Sequence, residues 1–263
     1  MPRSSGCQPV REYRMPASSL GVRWAALSDI GRQRTRNEDA FRIVPERAYA
    51  VLADGMGGHR GGDVAARIVV DTFCSEMERH FAEAAGDGDC EQGMLAAVNG
   101  ANSAVLDAAA RERGFLGMGA TLVALVADAD GLVFAGVGDS RLYRYRGGAL
   151  EQLTHDHTML QELVDGGMIS AEQASKAPFR GMLTRALGVA PDVEVEVAHT
   201  DLQAGDLLLL CSDGLTDMVG DDVIAAALAG DRSLDERAAA LVALANAAGG
   251  RDNVTVVLAC AVN

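Results

Sequence analysis

The sequence predicts a layered α/β (α+β) fold built on antiparallel strands, and three observations predict it. Apolar runs at 119–127, 132–137 and 142–146 are joined by turns too short for crossover helices, which calls for hairpins. Two long amphipathic stretches, 62–85 and 92–112, stand between groups of strands, as helices laid on a sheet do. Apolar runs also end repeatedly in an acid beside glycine or serine, most plainly at Asp54-Gly55, so chemistry is expected at the strand ends.

Each element has its own warrant. Residues 1–20, with Pro2, Pro9, Pro16 and Arg3, are expected to be a flexible leader, and 21–263 a single domain. Strands are expected at 22–27 and 41–44, flanking a polar loop with three arginines (Arg32, Arg34, Arg36) and three acids (Asp29, Glu38, Asp39). The run 48–53 reads as a buried strand ended by Asp54-Gly55, where glycine lets a main-chain carbonyl approach a cation. In the first helix Ala65, Val69, Phe73, Met77 and Phe81 recur every four residues. In the second, Leu95, Val98, Asn102, Val105, Leu106 and Ala109 lie near one face. Residues 119–127 read as one strand, and 132–137 as another that ends in Gly138-Asp139-Ser140-Arg141. The weakly periodic segment 154–191 is long for a connection and reads as a lid or recognition loop, with Ser170 placed to cap a short helix. His155 and His157 form an H-x-H pair, but local capping and packing is the better reading of them than a metal site. The alternation at 193–197 predicts a half-exposed strand, and 206–211 a buried one ending in Ser212-Asp213-Gly214. Helices at 221–228 and 234–247 precede Asp252 and a last strand at 254–261.

Composition narrows the function classes. The 263 residues are 49% apolar but only 4% aromatic, so alanine, valine and leucine must fill the core. A net charge of -14 argues against nucleic acid as a partner, which would need a basic face. The five cysteines, Cys7, Cys74, Cys90, Cys211 and Cys260, are odd in number and scattered, so neither a disulfide framework nor a zinc site is expected. Apolar runs are far shorter than a membrane span and no signal peptide is visible, so a cytoplasmic protein is expected. Cys211, set among apolar neighbours, reads as a core residue rather than a nucleophile.

Asp54, Asp139, Asp213 and Asp252, with Glu38 and Asp39, lie at or beside strand ends. Brought together, such carboxylates repel one another and are driven towards protonation unless cations intervene. An all-oxygen ligand set suits Mg²⁺ or Mn²⁺. Two such ions can share a carboxylate and a hydroxide that attacks in line, and Arg34 is placed to grip the anion under attack. That combination points to hydrolysis of a phosphate ester.

Six motifs carry a family resemblance: Ser28-Asp29-x-Gly31-x-x-Arg34-x-x-Asn37-Glu38-Asp39, Asp54-Gly55-Met56-Gly57-Gly58, Gly119-Ala120-Thr121, Gly138-Asp139-Ser140-Arg141, Ser212-Asp213-Gly214-Leu215 and Asp252-Asn253-Val254-Thr255. In order and spacing, over about residues 22–261, they resemble the metal-dependent protein phosphatases, the type 2C serine/threonine enzymes in their bacterial form. The resemblance implies a sandwich of two antiparallel sheets flanked by pairs of helices. It also implies two core Mn²⁺ or Mg²⁺ ions held by Asp54 as the bridge, by Asp213 and Asp252, and by the carbonyl of Gly55. Glu38 and Asp39 would bind directly or through metal-bound waters, Asp139 would serve a third, weaker ion, and Arg34 would hold the substrate phosphate. The segment Asp156-His157-Thr158 resembles the lead into the family's flap, and 164–188 the flap and its return, a subdomain at about 160–190. Where animal members carry a histidine after Asp-Gly, proposed as a general acid, this chain has Met56, and His59 follows three residues on. No side-chain general acid is assigned, which leaves a metal-bound water to protonate the leaving oxygen.

The implied activity is one-step removal of phosphate from phosphoserine and phosphothreonine. Partners would be phosphorylated proteins, among them a Ser/Thr kinase of the same cell and its substrates, and the enzyme would be a monomer. Three alternatives rank lower. A regulatory phosphatase of an anti-anti-sigma-like protein would often lack the long flap. A non-catalytic phosphoprotein-binding module would lack a core acid, and a metal-dependent nuclease would need a basic groove.

Overall fold

The computed structural model describes residues 21–56, 61–83, 89–128, 130–177 and 181–262; the expected leader at 1–20, like His59, lies outside them. In chain order the elements begin with β1 (Gly21–Asp29), β2 (Asp39–Val44), β3 (Tyr49–Met56), α1 (Gly62–Glu83), α2 (Cys90–Arg111), β4 (Gly119–Ala120), β5 (Leu122–Ala127) and β6 (Leu132–Val137). They continue with β7 (Arg141–Arg146), β8 (Ala149–Gln152), α3 (Met159–Asp165), α4 (Ala171–Lys176), β9 (Glu196–Thr200) and β10 (Leu207–Cys211). The last are α5 (Asp213–Thr216), α6 (Asp221–Leu228), α7 (Leu234–Ala247) and β11 (Val254–Val262).

The strands form two antiparallel sheets, one ordered β1-β11-β10-β7-β8 and the other β2-β3-β5-β6-β9 with β4 beside β3. Period-two alternation stacks them. Ala50 and Leu52 of β3 face Trp24, Leu142, Leu210 and Val257 of the other sheet, across the interior of the sandwich. The intervening Tyr49, Val51 and Ala53 turn outwards, onto Val69, Phe73 and Met77 of α1 and Val98 and Val105 of α2. On the opposite flank, Val256 and Leu258 of β11 pack against Ile224 of α6 and Leu241 and Ala245 of α7. The result is the helix–sheet–sheet–helix sandwich that the resemblance implied.

Four local expectations change. The strand carrying Asp54 does not stop at it. It runs on to Met56, because Gly55 and Met56 find partners in Ala120 and Gly119 of β4. The predicted strand 119–127 is divided at Thr121, which pairs with the backbone of Asp54 instead of continuing the ladder. The predicted strand 193–197 lies three residues further on, at Glu196–Thr200. Its register is set by β6, whose pairing ends with Gly136 opposite Glu196 because the chain there turns towards Asp139. Leu95 is exposed, at 42%. The buried face of α2 runs instead through Gly93, Met94, Ala97, Val98, Ala101 and Val105, where small residues let α1 come close.

Candidate functional site

Two adjacent strands set the first acids. Asp39 of β2 stands directly opposite Asp54 of β3 in the antiparallel register, a cross-strand position where like charges destabilise a sheet. Asp139 follows β6 at a turn made by Gly138, Asp213 opens α5 directly after β10, and Asp252 precedes β11. The two sheets thus deliver acids to the same end of the sandwich. Glycines permit the approach. A Cβ at Gly214 would lie 1.8 Å from the carbonyl oxygen of Asn253, so α5 and the Asp252 loop touch backbone to backbone. A Cβ at Gly55 would lie 2.0 Å from the carbonyl oxygen of Gly62, which keeps that stretch of β3 against the start of α1.

Arg34, Glu38, Asp54, Gly55, Asp139, Asp213 and Asp252 line one open cleft of about 820 Å³. Asp39 sits beneath this lining, its Oδ2 accepting from the Ser212 hydroxyl at 2.9 Å and the Thr255 hydroxyl at 2.6 Å. Since Thr255 gives its only hydroxyl proton to Asp39, the 2.7 Å contact with Ser28 must have Ser28 as donor. The Arg34 guanidinium donates to Asp252 Oδ2 at 2.5 Å, as a local countercharge. Asn253 fastens the arginine-bearing loop: its Oδ1 accepts from the Glu38 amide at 2.8 Å, and its Nδ2 donates to the carbonyls of Ile30 and Arg36.

The acids are in electrostatic conflict. Burial pushes the Asp54 carboxyl well above the usual range, and the charges of Asp39, Asp213, Asp252 and Asp139 push it further. Burial and then Asp139 and Asp252 do the same to Asp213. Asp39 is pushed up to about 6, chiefly by burial, with the Thr255 and Ser212 hydroxyls pulling the other way. Asp139 also reaches about 6, through burial and its neighbour Asp156. Among the described residues no three acidic, histidine or cysteine side chains already form a closed metal cage. The donor set nevertheless fits a hard divalent cation. It is all oxygen, and Asp39 Oδ1 and Asp213 Oδ1 are buried with no hydrogen-bond partner.

Several supporting residues carry no polar charge signal of their own. Thr121 quiets the ladder at Asp54: its hydroxyl accepts from the Asp54 amide at 2.9 Å and contacts Ser140 at 2.7 Å. Ser212, Thr255 and Asn253 adjoin aspartates in the motifs, and that adjacency was the available signal. His157 had a weaker one. It is buried, accepts from the Gly138 amide through Nδ1 at 3.1 Å, and lies one residue from Asp156, which grips Arg141. His155 turns away to Asp165 at 2.7 Å, so the H-x-H pair does not share a ligand. Cys211 lies in the core and burial pushes its thiol up to about 12, in keeping with a core role.

The profile of the family described as protein phosphatase 2C matches residues 31–254. The serine/threonine phosphatase stp of Listeria welshimeri serovar 6b is 39% identical over 234 residues, covering 88% of this chain and 92% of that one. The crystal structure of the Mycobacterium tuberculosis serine/threonine phosphatase PstP/Ppp superposes with a TM-score of 0.85 at 39% identity, covering 93% of this chain and all (100%) of that chain. The catalytic domain of PstP in complex with two manganese ions superposes with a TM-score of 0.82 at 39% identity, over 93% of this chain and 100% of that one.

Proposed function

The chain belongs to the protein phosphatase 2C family, and from that membership and the geometry of its acid cleft we propose that it hydrolyses phosphoserine and phosphothreonine in proteins, as a metal-dependent hydrolase. The observation that carries this reading is the convergence of Asp54, Asp139, Asp213 and Asp252 from both sheets on one cleft, with Arg34 in its lining.

Asp54, Asp213 and Asp252, with the carbonyl of Gly55, would hold two divalent cations, Mn²⁺ or Mg²⁺. Glu38 and Asp39 would support them, and Asp139 would hold a third ion. Bound there, the cations supply positive charge for the phosphate oxygens and make a water acidic enough to act as nucleophile near neutral pH. The chain's own residues do the rest. Asp39 is oriented by two hydroxyls, and Asp54 by the pairing of its backbone with Thr121. Arg34 is tied to Asp252, and its side chain is 49% exposed. That contact uses one guanidinium nitrogen, and the remaining N–H groups of Arg34 would hold the substrate phosphate. Direct attack by water, without a covalent enzyme intermediate, is what the family resemblance supports. Met56 leaves the position after Asp54-Gly55 without a proton donor.

We further propose a cytoplasmic monomer that opposes a Ser/Thr kinase of the same cell, with residues at about 160–190 as its flap and 1–20 as a leader. What supports this is the resemblance and, among the described residues, the absence of any helix long and apolar enough to cross a membrane. The experiment is hydrolysis of p-nitrophenyl phosphate and of a phosphothreonine peptide with Mn²⁺, with Mg²⁺ and with EDTA, beside Asp213→Asn. Metal-dependent phosphate release, lost in the variant, is expected; a folded protein with no turnover in any metal would sink the reading.

A further inference from the structure

Beside the acid cleft, and sharing Met56, Gly181 and Leu183 with it, lies a second pocket of about 500 Å³. Its other walls include Met182, Ala186 and Val189, with Arg185 among its few polar groups. It is built from two distant parts of the chain. Met56 ends β3, opposite Gly119 of β4, and the remaining walls come from the stretch that returns to β4 through the paired backbones of Ala120 and Leu187. Gly119 makes the room. A Cβ there would lie 2.8 Å from Met56 Cε, 3.2 Å from Val189 Cγ2 and 2.7 Å from the Leu187 carbonyl oxygen. Met182 and Val189 nevertheless stay 44% and 61% exposed. Two large apolar side chains are thus held at the surface, around a hollow that opens into the reaction cleft. Arg185 is committed to Glu194 at 2.7 Å, so the hollow offers carbon rather than a free charge.

We propose that this pocket is a substrate subsite that takes an aliphatic or aromatic side chain flanking the phosphorylated residue. The inference rests on the phosphatase reading of the adjoining cleft. Continuity between the two spaces selects the occupant. A polypeptide whose phosphate lies among the acids has its neighbouring side chains within one or two residues of the shared wall, since an extended chain advances about 3.3–3.6 Å per residue. Burial points the same way: an apolar flank placed against Met56, Met182 and Val189 leaves water, whereas a polar flank gains nothing there. Met56 is an apolar wall common to both spaces.

The test uses the full chain loaded with Mn²⁺. Its substrates are p-nitrophenyl phosphate, a phosphothreonine peptide with only Ser, Gly and Gln flanks, and copies of that peptide with a single Leu at each of the two positions on either side. Leu at one or more positions is expected to raise kcat/KM about 10-fold, the scale set by burying one such side chain. The double substitution Met182→Gln/Val189→Thr, at exposed sites, is expected to bring the Leu/polar ratio close to one while turnover of p-nitrophenyl phosphate stays within about 2-fold. Equal kcat/KM for all peptides in an enzyme that turns over p-nitrophenyl phosphate overturns the subsite and leaves the phosphatase reading standing. A Leu preference that survives the double substitution also overturns it. Failure to hydrolyse p-nitrophenyl phosphate with any metal overturns the phosphatase reading, and the subsite with it.

Discussion

Asp39 and Asp54 face each other across one antiparallel ladder, and that pairing makes the metal-free site expensive. Because burial holds Asp39 at about 6, above the ordinary aspartate value of about 3.9, the folded chain binds protons that the unfolded chain releases. Asp139, at about 6, acts in the same sense. The penalty is full above pH 6 and is relieved as pH falls from there towards 4. Metal-free protein in EDTA should therefore gain stability from these groups as pH drops from about 7 to about 5. Added Mn²⁺ should raise Tm more at pH 7.5 than at pH 5.5, because protons compete for the same oxygens. Thermal unfolding with and without Mn²⁺ at the two pH values checks this, and an equal rise at both would contradict it. The Thr255 hydroxyl pulls the Asp39 carboxyl down, so Thr255→Val should cost about 1–3 kcal/mol in urea unfolding of the Mn²⁺ form. Cys211 belongs to the core rather than to the cleft. With its thiol at about 12 and wholly buried, iodoacetamide at pH 8 should leave both Cys211 and phosphatase turnover intact, as peptide mapping would show.

At the scale of elements, the segment after β8 depends on how it is fastened. The backbone of His157 donates to the Gly138 carbonyl at 2.8 Å and its own carbonyl accepts from the Thr184 amide at 2.9 Å. Its Nδ1 takes the Gly138 amide, so one residue joins the Asp139 turn to the returning chain. Burial, followed by Arg185, holds its imidazole below the usual histidine range, which keeps Nδ1 free to accept. His157→Ala leaves the Gly138 amide without a partner and should destabilise the fold by about 1–3 kcal/mol. His157→Asn, whose Oδ1 occupies the place of Nδ1, should recover most of the loss. Urea midpoints of the two variants decide the matter; equal losses would mean that packing, rather than the hydrogen bond, carries the contact. The polar start of this segment and the cap at Ser170 are legible as sequence, and Ser170 does form a capping box with Gln173. The junction with Gly138 is not legible, since no local pattern ties a histidine to an amide on another strand.

For the whole molecule, closure falls to the two ends of the domain. β1 and β11 pair over their full length, from Gly21 opposite Val262 to Asp29 opposite Val254, and β11 lies between β1 and β10. Removing residues 254–263 would open the centre of that sheet, strip both its faces of Val256, Val257 and Leu258, and unseat Asp252. The truncated chain should lack cooperative thermal unfolding by circular dichroism; a sharp transition would show that the remaining layers suffice. Pairings this distant in sequence place the loop-closure entropy early in folding, so refolding should be slow compared with helical domains of similar stability.

The elements and the chemistry of their ends are legible in local sequence. The bounds expected for α6 and α7 match to the residue, and the acids beside strands point to an all-oxygen site. Hairpin turns settled that the strands are antiparallel. These are local properties, written in runs of neighbouring residues. Folding in three dimensions sets which acids meet, buries Asp39 beneath the cleft rather than in its lining, and draws Thr121 out of its strand to hold the Asp54 backbone. It alone set Met56 beside Val189 over the gap at Gly119. Such contacts depend on the register between strands and the stacking of two sheets. Those are fixed by the sum of many weak burials across the core, which no single stretch of sequence records.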